Sequence, residues 1–310
     1  YDLGGFTVHD LGRPTAPLGL RRRAQGRALR QAMTAVGSFD LIHGFWADPA
    51  GLVAARTGRH FGIPSVVTCD SGEFVSLTAI RYGSQRTMRG RARVREACRL
   101  AGRVHVCTDY MRGLAARHDV EAVVIPLGIT NEDSAVVSDT VVILPGADGG
   151  SRPQPSGGLR LLQVASLSDV KNQAALIEAV ALMARDLDVH LDLAGEDTLA
   201  GALQAYARDL GVAERVVFHG YVANDQLAPL FANTDLYVQS SRHEAAAVSV
   251  LEAASAGVPV VGTRVGYVAD WSEDKAVAID GATPQALVSA IKSLHGDRLR
   301  ANVMAASAQS

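Results

Sequence analysis

The 310-residue chain predicts an α/β fold in two parallel-sheet lobes with a cleft between them. Three observations carry that prediction. Apolar segments of four to six residues alternate with helical stretches of ten or more, the pattern of strands buried within a parallel sheet covered on both faces. The run PGADGGSRPQPSGG at residues 145–158 can hold neither a helix nor a central strand, and marks a linker. Charge divides near the same place. Residues 1–130 hold 18 Arg, no Lys and 10 acids, whereas the remainder holds 12 basic and 22 acidic residues. Two domains with different partners follow, at 1–144 and 159–310, joined by the linker at 145–158.

In the first domain, residues 39–43 (FDLIH) read as a strand and 47–60 as a helix. A strand at 65–68 and a long Arg-rich helix around 85–100 follow. A strand at 104–107, a short helix near 110–116 and a strand at 123–125 complete this half. In the second domain the expected strands lie at 159–165, 189–194, 216–218, 236–238, 258–262 and 276–279. The expected helices lie at 172–184, 199–210, 247–256 and 284–294.

Composition removes several function classes. With 48% hydrophobic and 20% charged residues the chain is not disordered. No apolar run approaches the roughly 20 residues needed to cross a bilayer, and no secretory signal opens the sequence. Cys69, Cys98 and Cys107 show no CxxC spacing, so neither a disulfide framework nor a zinc site is expected, and a reducing cytoplasm is the expected home. Few aromatics (5%) and no recognised module speak against nucleic-acid binding. There is no GxxxxGK[ST] loop, and no GxGxxG follows a strand.

The stretch from Ser240 to Asp270, SSRHEAAAVSVLEAASAGVPVVGTRVGYVAD, is the most informative. A strand leads into a loop carrying Glu244, and a helix then runs to a stop at Gly257. Glu252 follows Glu244 by eight residues, a span of at most roughly 12 Å at 1.5 Å per helical residue. That is about the reach from ribose to hexose of a nucleotide sugar. The helix N-terminus lies midway, where free N–H groups favour a diphosphate. The bland reading makes Glu244 a helix-start acid and Glu252 a solvated one. The apolar or small neighbours Leu251 and Ala253 to Ala256 argue instead for a buried Glu252 that needs a partner.

This stretch resembles the E-x7-E signature of family 4 retaining glycosyltransferases of the GT-B fold, with that family's G-V-P-V-V strand at residues 257–261. VASLSDVK (164–171), LAGE (193–196), VFHG (217–220) and ANTDLYVQS (232–240) resemble the family's segments in register, as do residues 104–108 and IPLGI (125–129) in the first domain. The resemblance implies two Rossmann-like domains, with the first incomplete, and a chain that is a fragment of a longer protein. It implies a nucleotide-sugar co-substrate, with Glu252 at the ribose, Glu244 at the transferred sugar and Lys171 at the diphosphate. The chemistry it implies is front-face displacement without a metal, Lys171 supplying fixed positive charge. The donor-side set adds Ser166, Ala245, Ala246, Ala247 and Val248, with Gly220 and Tyr221 at the base. The acceptor is a glycan, a lipid-linked sugar or a small molecule.

Departures from the family pattern bear on details. Ser166 stands where an Arg is usual, three alanines replace a Gly-rich turn, and Asp70-Ser71-Gly72-Glu73 replaces a His-Gly. A non-catalytic nucleotide-binding scaffold and a sugar-nucleotide epimerase are the alternatives. On the acceptor side the candidates are His43, Trp46, Asp70 and Glu73; His43 ends a strand, and Phe45 and Trp46 form either an acceptor wall or core packing. Asp186-Leu187-Asp188 fits a metal-binding D-x-D, but reads better as a solvated turn, and no metal is expected among the nine His either. Eight arginines between Arg81 and Arg103 read as contact with anionic membrane or a phosphorylated acceptor, or as a solvated helix face.

Overall fold

The computed structural model describes residue 10 and residues 20–129, 158–271 and 273–309. The chain forms two compact units, Tyr1–Pro126 and Leu127–Ser310. Residues 145–157 of the expected linker lie outside the described residues.

The first unit runs α1 (Arg21–Val36), β1 (Ile42–Phe45), α2 (Leu52–Phe61), β2 (Ser65–Thr68), α3 (Met88–Leu100), β3 (Arg103–Val106), α4 (Asp109–Ala116) and β4 (Val123–Val124). Its strands form one parallel sheet in the order β1-β2-β3-β4. Every right-handed crossover therefore steps in the same direction, which sends the connecting helices to one face. The other face presents Phe45, Val123 and Ile125, which are 53, 49 and 56% exposed. Cover on both faces was expected; among the described residues this sheet has it on one.

Several boundaries differ from expectation, each for a local reason. β1 starts at Ile42, whose N–H donates to Pro64 O at 3.0 Å, so the strand extends to Phe45 while Phe39 and Leu41 stay outside it. The helix expected over 47–60 is broken: Asp48 is extended (φ −137°, ψ 122°), and regular α2 begins only at Leu52. The Asp48 carboxylate is held by Arg22 at 2.6 Å and Arg93 at 3.4 Å. Gln85 sits in a short turn, and α3 starts at Met88 behind the Thr87 hydroxyl, which accepts from Gly90 N. α1 escaped the periodicity reading because it buries only Gly26 and Met33.

The second unit runs β5 (Leu159–Val164), α5 (Gln173–Met183), β6 (Val189–Ala194), α6 (Ala202–Asp209), β7 (Val216–Gly220), α7 (Ala228–Ala232), β8 (Leu236–Gln239) and α8 (Val248–Ser255). It ends with β9 (Val260–Thr263), α9 (Tyr267–Asp270), β10 (Val277–Ile279), α10 (Pro284–Gly296) and α11 (Arg298–Gln309). All six strands are parallel, in the order β10-β9-β8-β5-β6-β7. The order reverses between β5 and β8, so crossovers leave in opposite directions and cover both faces. α5 buries Leu176, Ile177, Val180 and Met183 in a core shared with Leu161, Leu191 and Val238, and with Leu287, Ile291 and Leu294 of α10. Each such side chain contributes about 1.5–3 kcal/mol. In open α/β sheets, ligands collect beyond the strand C-termini at the point where strand order reverses.

Candidate active site

Two loops meet beyond the ends of β5 and β8. The first carries Lys171 into α5. Asn172 follows at φ 57°, ψ 36°, a left-handed conformation that Asn tolerates better than most residues. Its buried amide donates to Ser240 O at 3.3 Å and Ala282 O at 3.0 Å, while its Oδ1 accepts from Arg242 Nη2 at 2.6 Å. The Ser240 hydroxyl, itself fully buried, donates to Lys171 O at 2.9 Å. These bonds pin the backbone that presents Lys171. Replacing Arg242 with alanine strands a buried amide oxygen, and we expect it to lower stability by about 1–2 kcal/mol in urea titrations.

Lys171 and Glu244, which the sequence reading placed at different parts of the ligand, are in direct contact. Lys171 Nζ lies 2.6 Å from Glu244 Oε1, which also accepts from Ser241 Oγ at 2.6 Å. Both side chains are largely but incompletely shielded, at 25 and 11% exposure. An ammonium carries three N–H donors, so Lys171 can keep Glu244 and still reach an anion. Gly266, at φ 57°, lets the next loop close over this pair: a Cβ there would stand 2.5 Å from Ala246 O and 3.0 Å from Glu244 Cβ.

Ala245 and Ala246 are buried beneath the turn, and Ala247 caps α8 at φ 71°, ψ 74° without any side-chain hydrogen bond. The alanine turn therefore takes up the left-handed geometry for which glycine is favoured. The N–H groups of Val248 and Ser249 have no partner among the described residues. They form a donor pair at the positive end of the helix. The Ser249 hydroxyl accepts instead from buried Tyr237, 2.7 Å away, which burial pushes well above the ordinary tyrosine range.

Glu252 departs from its expected burial. It is partly exposed, and its carboxylate has no hydrogen bond or ion pair among the described residues. Desolvation raises its pKa above the ordinary 4.5. An acid whose folded value is raised contributes stability that is complete below 4.5 and is lost as pH climbs through the folded value. Glu252→Gln should therefore gain on the parent as pH rises from 4 to 7, read from paired urea midpoints. A carboxylate held partly dry without a protein partner is poised for a ligand hydroxyl.

Ser166 is exposed, its carbonyl held by Gln173 Nε2 at 3.1 Å. Gly220 (φ 68°) gives its carbonyl to Gly195 N at 2.7 Å, and Tyr221 is 79% exposed. The sequence reading missed Asn172, Ser240, Ser241, Arg242 and Gly266. Their only sequence signal was adjacency to Lys171, Glu244 and strand ends. Asp186 pairs with Lys292 and Asp188 with Arg215, which leaves the D-x-D as a surface turn. Among the described residues no group of three or more His, Cys, Asp and Glu is placed to hold a metal ion.

Residues 151–310 match the family described as Glycosyl transferases group 1, and residues 2–128 match a Glycosyl transferase 4-like domain. The chain belongs to this family of glycosyltransferases. It is 27% identical over 243 residues to a D-inositol 3-phosphate glycosyltransferase of Arthrobacter sp., covering 74% of this chain and 55% of that one. It is 31% identical over 180 residues to a GDP-mannose-dependent alpha-(1-6)-phosphatidylinositol monomannoside mannosyltransferase of Mycolicibacterium smegmatis, covering 54% of this chain and 47% of that one. The chain thus spans about half the length of these curated relatives. Among solved structures it resembles Anabaena HepE in complex with UDP-glucose, with a TM-score of 0.68 at 20% identity, over 95% of this chain and 78% of that one. The fold is GT-B, with two Rossmann-like domains.

In the family's 4-like domain, His43 lies within β1 rather than at its end, because the strand continues to Phe45. Its Nε2 lies 2.7 Å from Thr68 Oγ1, which in turn lies 2.9 Å from His105 Nδ1. Phe45 and Trp46 are 53 and 54% exposed, so neither is core packing. Glu73 is 3% exposed, and its carboxylate accepts from Ala47 N at 3.3 Å and Ser71 N at 2.8 Å. It holds this loop together rather than facing outward. Burial pushes the Asp70 and Glu73 pKa values up, and Asp70 Oδ1 is buried without a hydrogen bond among the described residues. Among the described residues, no helix is long and apolar enough to cross a membrane.

Proposed function

We propose that the protein to which this chain belongs is a retaining glycosyltransferase that moves a hexosyl group from a nucleotide-sugar donor to an acceptor hydroxyl without a metal. The observation that carries the proposal is the Lys171–Glu244 contact at the reversal of strand order, beside unpartnered helix N–H groups and with Glu252 eight residues on. In this reading the diphosphate lies against Val248 N and Ser249 N and takes Lys171 as its counter-charge. Glu244 accepts hydrogen bonds from the transferred sugar and Glu252 from the ribose diol. The acceptor oxygen bonds to the anomeric carbon on the face from which the phosphate oxygen departs. The acceptor proton passes to that leaving phosphate, so no protein carboxylate is a nucleophile. The printed names of relatives, one GDP-mannose-dependent and one solved with UDP-glucose, support a nucleotide-sugar donor without choosing the base.

The test incubates the full-length protein with a panel of nucleotide sugars, with and without Glu252→Ala, and reads the product's anomeric configuration by NMR. Donor-dependent transfer with retained configuration, weakened by Glu252→Ala, is expected. Equal turnover by both forms, or inverted product, sinks the proposal. Tight nucleotide binding with no turnover would identify a scaffold.

A further inference from the structure

The eight arginines between Arg81 and Arg103 do not share one environment. Arg93 is spent on Asp48, and Arg103 donates to Gly102 O. Arg91 and Arg95, one helical turn apart on α3, project to one side and line a cavity of about 380 Å³. Its apolar part is formed by Phe74, Val94 and Val120, and Ser76 adds a hydroxyl. Arg91 Nε is anchored on Gln85 O at 2.6 Å, which fixes the guanidinium and leaves its terminal nitrogens for another acceptor. Arg95 has no hydrogen bond or ion pair among the described residues. No carboxylate lines the cavity.

Arg91 and Arg95 are both exposed, so they set two positive charges at the mouth of the cavity, where an entering anion can reach both. We propose that this cavity binds a phosphomonoester, Arg91 and Arg95 gripping the phosphate oxygens while Phe74, Val94 and Val120 accommodate the less polar body of the ligand. Planar guanidinium forks suit phosphate geometry, and charge-assisted bonds of this kind are the strong ones. The volume suits a small molecule or one lipid headgroup. The cavity is separate from the donor site, since none of its lining residues is a donor-site residue.

The test titrates inorganic phosphate into the 310-residue chain at low salt by calorimetry, then repeats it with Arg91→Gln, Arg95→Gln and Arg59→Gln. Arg59 is an exposed arginine of α2 outside the cavity and serves as the charge control. Saturable binding that weakens about tenfold or more in each cavity variant, and is unchanged in the control, is expected. A second arm measures co-sedimentation with phosphatidylcholine vesicles containing phosphatidic acid. Co-sedimentation lost in the two cavity variants assigns the phosphate to a lipid headgroup; phosphate binding without co-sedimentation assigns it to a soluble ligand, and either supports the site. Absence of saturable phosphate binding, or equal losses in all three variants, overturns it. Circular dichroism melts confirm that each variant is folded before binding is compared.

Discussion

Replacing Lys171 with alanine in the full-length protein is expected to lower kcat for sugar transfer by about 10²–10³-fold, with a much smaller change in KM. The asymmetry follows from when the charge matters. In the proposed mechanism the diphosphate already carries its negative charge in the ground state, and the N–H groups of Val248 and Ser249 would hold it beside Lys171. As the glycosidic bond breaks, further charge develops on the leaving oxygen, and a fixed ammonium stabilises that state more than the substrate complex. Lys171 is well placed for this role because Glu244, at 2.6 Å, and the bond from Ser240 to its own carbonyl limit its movement. Lys171→Arg should not restore full activity, since a broad planar fork cannot occupy the position of a compact ammonium held between Glu244 and the ligand. Steady-state kinetics with a saturating acceptor, alongside urea midpoints, separate a catalytic loss from a folding one. A loss confined to KM would show that Lys171 only helps to bind the donor.

The second large effect is structural. Gly195→Ala should reduce stability by about 3 kcal/mol or more, and should abolish nucleotide binding with it. Gly195 sits at the end of β6 with φ 154°, and a Cβ there would stand 2.0 Å from Ala165 O, 2.4 Å from its carbonyl carbon and 2.8 Å from Ser166 N. All three are backbone atoms, so no side chain can swing aside. The same place is laced by hydrogen bonds: Ala165 N to Ala194 O at 2.8 Å, Gly195 N to Gly220 O at 2.7 Å, and Leu167 N to Glu196 O at 2.8 Å. Relieving the clash means parting the loops that follow β5 and β6, one of which leads to Lys171. Urea unfolding measures the first effect, and calorimetric titration of UDP and GDP the second. A variant with the parental midpoint would show that the loops separate without cost.

The alternation of strands and helices was legible along the chain because burial on a sheet writes itself locally, as short apolar runs between helix-length segments. β2 and β6 fall where the pattern puts them, at Ser65–Thr68 and Val189–Ala194. The pattern weakened wherever burial was sparse. α1 keeps only two residues inside, and α9 is only Tyr267–Asp270, so neither stood out. Start points slipped where a single residue mattered: Pro259 precedes β9 and cannot donate to the ladder, and β9 begins at Val260.

What the sequence determined by itself was therefore the class of fold, with its two parallel sheets, and the spacing of Glu244 and Glu252 about one helix start, since eight consecutive residues already constrain their own geometry. What only the tertiary structure decided was which distant residues meet. Lys171 and Glu244 are 73 positions apart, and they touch because β5 lies beside β8 rather than beside β9 or β10. The same is true of Asn172 with Arg242, and of Gly266 against Ala246. Strand order arises from the packing of the whole sheet, a property summed over many weak contacts, and no short stretch of residues contains it.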